Sequence, residues 1–223
     1  MSHRAFQEKF KELRERLLYM SRLAREMVVM SVDALKNRES DLLPRVYEYE
    51  ERVNHLENEI DERCITILAL YQPEARDLRS LVMILKINND LERIGDHAVN
   101  IAQHTEVLLK HPPVKPLIDI PRMQTVACEM LDRALHSFIY EDAETAQRVC
   151  EMDDEVDELR NQVIRELLTY MMENPAIIDL ALRLILVSRD LERIADLSTN
   201  IAEDVIYMVQ GVNIKHHAQE EQT

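Results

Sequence analysis

Apolar residues recur along most of the chain at alternating spacings of three and four, a pattern typical of amphipathic helices that pack through one face. The clearest example follows Pro73, and a second with the same spacing follows Pro175. The two stripes consist of Ile84, Ile87, Leu91, Ile94, Ala98 and Ile101, and of Leu184, Val187, Leu191, Ile194, Ser198, Ile201, Val205 and Met208. Both fit the a and d positions of a heptad repeat, which predicts long helices packed in bundles.

Proline marks the breaks between these helices. Four of the seven prolines lie in residues 111–121, which are predicted to be a non-helical connection between two halves. Pro73 and Pro175 each fit the first turn of a new helix, and Gly211 fits a C-cap. The predicted helices cover residues 5–37, 40–71, 73–110, 122–140, 141–173 and 175–210.

An internal repeat relates the two halves. Residues 90–102 and 190–202 are identical at nine of 13 positions, and residues 50–56 resemble 153–159 more loosely. The predicted fold is all-α, with six long helices forming two similar three-helix bundles. The first bundle is expected over residues 1–110 and the second over 122–211. The connection at 111–121 joins them, and a polar tail follows at 212–223.

Composition excludes several classes of protein. Gly95 and Gly211 are the only glycines in 223 residues, too few for a P-loop or a dinucleotide-binding turn. The formal net charge of −15, without a Lys/Arg cluster, argues against nucleic acid and anionic membrane surfaces as partners. No apolar run reaches the length of a membrane span, and the N-terminus does not resemble a signal peptide. The three cysteines are predicted to be reduced core thiols.

The repeated polar residues are the candidates for function. Packing explains repeated apolar positions, but it does not require polar identities to recur at heptad positions that face away from the stripe. Paired carboxylates at i,i+4 repel each other by a few tenths of a kcal/mol unless a cation or basic side chain intervenes. At the same spacing the second helix offers Glu50 with Asn54 and the fifth helix offers Asp153 with Asp157, each on the flank of its apolar stripe. The candidate metal ligands are Glu50, Glu92, Asp96, Asn100, Asp153, Asp157, Glu192, Asp196 and Asn200.

Two plainer interpretations compete with metal binding. The acids can form a solvated face that Arg93 and Arg193 neutralise, and His97 is predicted to be a surface residue because Leu197 is its counterpart. No Glu-x-x-His or His-Glu-x-x-His motif is present, and no nucleophile with a neighbouring base can be assembled locally.

Three segments resemble the PhoU family of phosphate-transport accessory proteins: QPEARDLRSLVMILKINNDLERIGDHAVNIA at 72–102, DDEVDEL at 153–159 and DLERIADLSTNIAEDVIYMVQG at 190–211. The resemblance implies a cytoplasmic, often dimeric, non-enzymatic negative regulator of phosphate uptake and of the phosphate-starvation response. Its expected partners are the ATPase subunit of the phosphate ABC transporter and a membrane sensor histidine kinase.

The resemblance also implies metal ions on Glu/Asp-x-x-x-Asp motifs, which here are Glu92 with Asp96, Glu192 with Asp196, and Asp153 with Asp157. Iron, zinc, magnesium and manganese are all candidate metals, and none is expected to be required for the fold. Asn54 replaces the Asp that would complete a motif with Glu50, and this neutral amide makes the second half the stronger candidate. The alternatives are a metal-dependent hydrolase of a phosphorylated compound and a set of inert surface acids.

Overall fold

The computed structural model describes residues 3–211 and the side chains of residues 5–211. Six long helices occur in this part of the chain, and it contains no strand. They are α1 (His3–Asn37), α2 (Leu43–Tyr71), α3 (Ala75–Leu108), α4 (Asp119–Tyr140), α5 (Ala143–Glu173) and α6 (Ile178–Gln210). None of them is both long and apolar enough to cross a membrane.

The helices form two three-helix bundles, α1–α2–α3 and α4–α5–α6. The predicted stripe on α3 is fully buried, and so is that on α6 except for the half-buried Met208. Burial of such side chains contributes about 1.5–3 kcal/mol each relative to exposure. The all-α fold and its internal duplication are therefore confirmed. The predicted core thiols Cys64 and Cys128 are buried, and Cys150 is half-buried.

Several predicted boundaries need correction. Short 3-10 turns occupy Ser40–Leu42 and Pro175–Ile177, so α2 begins at Leu43 and α6 at Ile178. Helix α4 begins at Asp119, so Pro121 lies in its first turn rather than in a non-helical connection. Proline is tolerated there because the first-turn N–H groups have no partner within the helix. Glu141 does not begin α5: it adopts a left-handed conformation with φ 53°, and Asp142 caps α5 by accepting from the N–H groups of Glu144 and Thr145. Likewise Pro73 precedes α3, which begins at Ala75.

The connection between the bundles is anchored to the second one. Lys115 is buried, and its ammonium group contacts Glu166 of α5 and lies 3.8 Å from Asp119. Gly211 ends α6 with φ 72° and donates its N–H to the carbonyl of Tyr207 at 2.9 Å. The predicted polar tail, with His216 and His217, lies outside the described residues.

The two bundles pack through equivalent helices that run antiparallel. Lys86 near the start of α3 lies 3.1 Å from Asp204 near the end of α6, whereas His97 farther along α3 lies 2.9 Å from Asp190. Helices α1 and α4 are also in contact. Consequently the α2–α3 junction and the α5–α6 junction point toward opposite ends of the molecule.

Both junctions expose large apolar side chains. At the first these are Ile65, Leu70, Leu78 and Val82, and at the second Leu168, Met172, Ile178 and Leu182. The internal packing leaves these side chains exposed.

Candidate functional site

The first half gathers four carboxylates between α2 and α3. Glu50 and Glu57 lie on α2, seven residues apart and therefore on one face, and Glu92 and Asp96 lie on α3. Asp96 is exposed and the three glutamates are half-buried. We call Glu50, Glu57, Glu92 and Asp96 the first acid cluster.

Mutual repulsion marks the first acid cluster. Burial and the charge of Asp96 raise the pKa of Glu50. The pKa of Glu57 is raised by burial and by Asp61 and Asp96, and that of Glu92 by burial, Asp96 and Glu57. Among the described residues, no basic side chain lies within 4.0 Å of any of the four. Arg93 is nearest to Asp90 instead, at 3.8 Å. The charge of Arg93 offsets part of the repulsion at Glu92, and the cluster keeps an excess of negative charge.

The second half places its acids equivalently on α5 and α6. We call Asp153, Asp157, Glu192 and Asp196 the second acid cluster. Asp153 has a pKa of about 6, raised by burial and by the charges of Asp196 and Asp157. Glu192 is only 7% exposed, so its predicted outward orientation is wrong. Helix α5 packs against the flank of α6 from which Glu192 projects, which buries its carboxylate in the interface.

Two arginines offset part of the charge of the second acid cluster, although burial and the charge of Asp196 still raise the pKa of Glu192. Nη1 of Arg160 lies 2.8 Å from Oε1 of Glu192, and Nη2 lies 3.7 Å from Asp157. Arg193 contacts Asp196 at 2.7 Å and approaches Oε2 of Glu192 at 3.6 Å. This Oε2 is buried and has no hydrogen-bond donor. The second half thus already contains cationic groups in positions where a metal would compensate charge.

The difference between the clusters comes from one pair of equivalent positions. Extending the alignment of residues 50–56 with 153–159 by one residue pairs Glu57 with Arg160. Sequence reasoning missed both residues, although their shared helical face with Glu50 and Asp153 was a usable signal. The amide of Asn54 favours the second half as a metal site, whereas the exchange of Glu57 for Arg160 favours the first half. The first acid cluster therefore has the larger excess of carboxylates over paired guanidinium groups.

Other candidates lie elsewhere. Asn100 does not contact the first acid cluster, because its Nδ2 points to Asp190 on α6 at 3.5 Å. Asn200 is half-buried on α6. His97, predicted to be a surface residue, lies half-buried between the bundles, with Nδ1 2.9 Å from Asp190. The antiparallel pairing of α3 and α6 brings it there.

The donor chemistry of the first acid cluster fits a hard cation. All its donors are carboxylate oxygens, which Mg²⁺, Mn²⁺ and ferric iron accept readily. Within residues 5–211, however, no three His, Cys, Asp or Glu side chains converge closely enough to form a ready-made metal site. The carboxylates supply charge and ligand type, and binding a metal requires their side chains to move together.

Comparison with known proteins agrees with this architecture. The PhoU domain family matches the chain twice, over residues 17–105 and 120–205. The chain is 40% identical over 210 residues to the phosphate-specific transport system accessory protein PhoU homolog of Aquifex aeolicus, which covers 93% of this chain and 95% of that protein. It is 33% identical over 213 residues to the phosphate-specific transport system accessory protein PhoU of Escherichia coli. This match covers 95% of this chain and 88% of that protein.

A solved structure shows the same arrangement of helices. The crystal structure of PhoU from Pseudomonas aeruginosa has a TM-score of 0.89 and 38% identity, covering 93% of this chain and 100% of that chain. The family match includes the α2–α3 and α5–α6 pairs that hold the two acid clusters. This chain belongs to the PhoU family.

Proposed function

We propose that this protein is a cytoplasmic negative regulator of phosphate uptake and of the phosphate-starvation response. It acts as an adaptor between the ATPase subunit of a phosphate ABC transporter and a membrane sensor histidine kinase. Support comes from its relatives, which carry the name of accessory proteins of the phosphate-specific transport system. The observation that carries the proposal is the first acid cluster with its excess of negative charge, a surface suited to basic partner groups.

Two routes lead from this cluster to a partner. Arg or Lys side chains of the partner can approach the carboxylates directly, since complementary charge favours association and specificity. Alternatively Glu50, Glu57, Glu92 and Asp96 hold a divalent or ferric cation, which supplies positive charge to which an acidic or phosphorylated group of the partner can bind. In both cases Glu92 and Asp96 carry the contact.

Homodimer formation is part of the proposal, and the exposed apolar side chains at the bundle junctions support it. Val82 and Leu182 are 42% and 48% exposed at equivalent places in the two halves. Sedimentation of the wild type as a monomer at micromolar concentration would contradict the dimer.

The adaptor role is tested by capturing named partners from cells grown in high and low phosphate. Wild-type protein is expected to retain the transporter ATPase and the kinase, and a Glu92→Gln, Asp96→Asn variant to lose at least one of them. Asp154→Asn with Glu158→Gln is the matched control, because it removes two exposed carboxylates at the same spacing outside the first acid cluster. Recovery of neither partner with wild-type protein in either condition would refute the adaptor.

The same variants separate adaptor from hydrolase. The adaptor predicts no turnover of phosphorylated compounds by metal-loaded wild-type protein. The hydrolase hypothesis would be supported instead if wild-type protein and the control turn over substrate and the Glu92→Gln, Asp96→Asn variant does not. If that variant binds its partners as well as wild type, and wild type shows no turnover, the acids contribute to neither partner binding nor catalysis.

A further inference from the structure

A cleft of about 450 Å³ lies between α3 and α6, on the surface where the two bundles meet. It is separate from the acid clusters, which lie at the α2–α3 and α5–α6 interfaces. Its charged and titratable lining is mostly basic, in a protein whose formal net charge is −15. The lining includes Arg93, His97, His104, Arg189, Asp190 and Arg193.

Three arginine side chains line the cleft. Arg93 and Arg193 occupy equivalent positions of the repeated DLERI segment, and antiparallel pairing brings both to the central part of the interface. Nη1 of Arg93 lies 3.8 Å from Oδ1 of Asp90, which is a loose ion pair. Arg193 is paired with Asp196 of the second acid cluster at 2.7 Å. Arg189 is exposed and has no carboxylate within 4.0 Å among the described residues. Like charges gathered in this way favour an anion between them, and guanidinium binds tetrahedral oxyanions with paired hydrogen bonds.

The single carboxylate in the lining indicates which oxyanion fits. Oδ1 of Asp190 faces Nδ1 of His97 at 2.9 Å and Nδ2 of Asn100 at 3.5 Å. Its Oδ2 atom makes no hydrogen bond with any residue that the structure describes. A free carboxylate oxygen repels a fully deprotonated anion such as sulfate, but accepts a hydrogen bond from an anion that carries a proton. Hydrogen phosphate is such an anion at neutral pH.

His104 adds an uncharged hydrogen-bond donor to the cleft. Burial lowers the pKa of His104, Asp190 acts in the opposite direction, and Arg183 lowers it further. His104 is therefore neutral at pH 7 and offers one N–H without adding charge.

We propose that this cleft binds inorganic phosphate as hydrogen phosphate, with Arg93 and Arg189 contacting its oxygens and Asp190 Oδ2 accepting its proton in a hydrogen bond. Arg193 completes the basic wall. This site goes beyond the adaptor role, which requires no small ligand, and it allows the regulator to respond to phosphate directly. Because the cleft spans both bundles, bound phosphate links them through one anion.

The test is a calorimetric titration of full-length, chelator-treated protein with inorganic phosphate at low ionic strength. Chelation separates this site from phosphate bound to a metal in an acid cluster, so failure here leaves the adaptor unaffected. Wild-type protein is expected to bind phosphate saturably, and Arg189→Ala or Arg93→Ala to weaken binding about 10-fold, the loss expected for one charge-assisted hydrogen bond.

Arg79→Ala is the matched control, because Arg79 is also an exposed arginine on α3 but lies about 21 Å from Arg93 along the helix axis. It is expected to bind like wild type. Sulfate is expected to bind at least about 10-fold more weakly than phosphate, and Asp190→Asn to reduce this difference. Circular dichroism confirms the fold of each variant.

Absence of saturable phosphate binding would overturn the proposal. So would unchanged binding by Arg189→Ala, equal weakening by Arg79→Ala, or equal affinity of the wild type for sulfate. Retained discrimination against sulfate in Asp190→Asn would also count against the assigned geometry.

Discussion

Nη1 of Arg160 on α5 lies 2.8 Å from Oε1 of Glu192 on α6, and this contact joins two helices through a carboxylate that is almost fully buried. Removing Arg160 leaves that charge without its main partner, which destabilises a fold more than loss of an exposed ion pair does. Arg160→Met is expected to lower the free energy of unfolding by about 2 kcal/mol, below the value for fully buried pairs because Arg160 is partly exposed. Urea denaturation at pH 7 measures the change.

The double variant is the control for this prediction. Glu192→Met removes the orphaned carboxylate, so Arg160→Met with Glu192→Met is expected to be more stable than Arg160→Met alone. If the two single changes add without coupling, the contact does not stabilise the bundle.

Asp153 is predicted to make stability depend on pH. Its folded-state pKa is about 6, above the ordinary value of 3.8, so the folded protein binds a proton more tightly than the unfolded chain. Ionisation therefore destabilises the fold as pH rises through this window. Asp153→Asn is expected to be more stable than wild type by about 1 kcal/mol at pH 7, and this advantage is expected to vanish near pH 4.

Urea midpoints at several pH values between 4 and 7 measure this difference. Asp154→Asn is the comparison, because the neighbouring carboxylate is exposed. A constant difference between wild type and Asp153→Asn across the range would show that the Asp153 carboxylate is not perturbed.

Divalent cations are predicted to stabilise the protein mainly through the first acid cluster. Mg²⁺ or Mn²⁺ that binds only the folded state at 100 times its Kd adds about 2.7 kcal/mol. A rise in Tm is expected for wild type, and Glu92→Gln with Asp96→Asn is expected to remove most of it. Asp153→Asn with Asp196→Asn is expected to keep most of the rise, because Arg160 and Arg193 already compensate the second acid cluster. The opposite ranking of the two double variants would reverse the assignment.

Gly95 is predicted to tolerate alanine. A Cβ atom there would lie 3.5 Å from Met27 Cε and Val53 Cγ1, which is ordinary contact distance. Alanine occupies the equivalent position 195. Gly95→Ala is expected to stabilise the protein by about 0.5–1 kcal/mol, because glycine has low helix propensity. Gly211→Ala, where φ is 72°, is expected to destabilise it, and thermal melting compares the two.

Apolar periodicity was sufficient to predict the helices and the duplication, because the spacing of residues such as Ile84 and Leu184 directly indicates the buried stripes of α3 and α6. It could not show what each flank meets. Burial of Glu192 depends on how α5 lies against α6, and the contact of His97 with Asp190 depends on antiparallel packing of the bundles. Both are relations between distant segments, which local patterns do not encode.

Antiparallel pairing of α3 and α6 gives this chain two related surfaces that face in opposite directions. The α2–α3 junction and the α5–α6 junction lie at opposite poles of the molecule. The surface at one pole is therefore repeated, with sequence changes, at the other pole. Two partners held at opposite poles do not compete for space, and two chains joined pole to pole can continue into a linear array. The two junctions have diverged in sequence, with Leu78 and Val82 at one and Ile178 and Leu182 at the other. This divergence limits how far such an array extends and gives each pole its own preference.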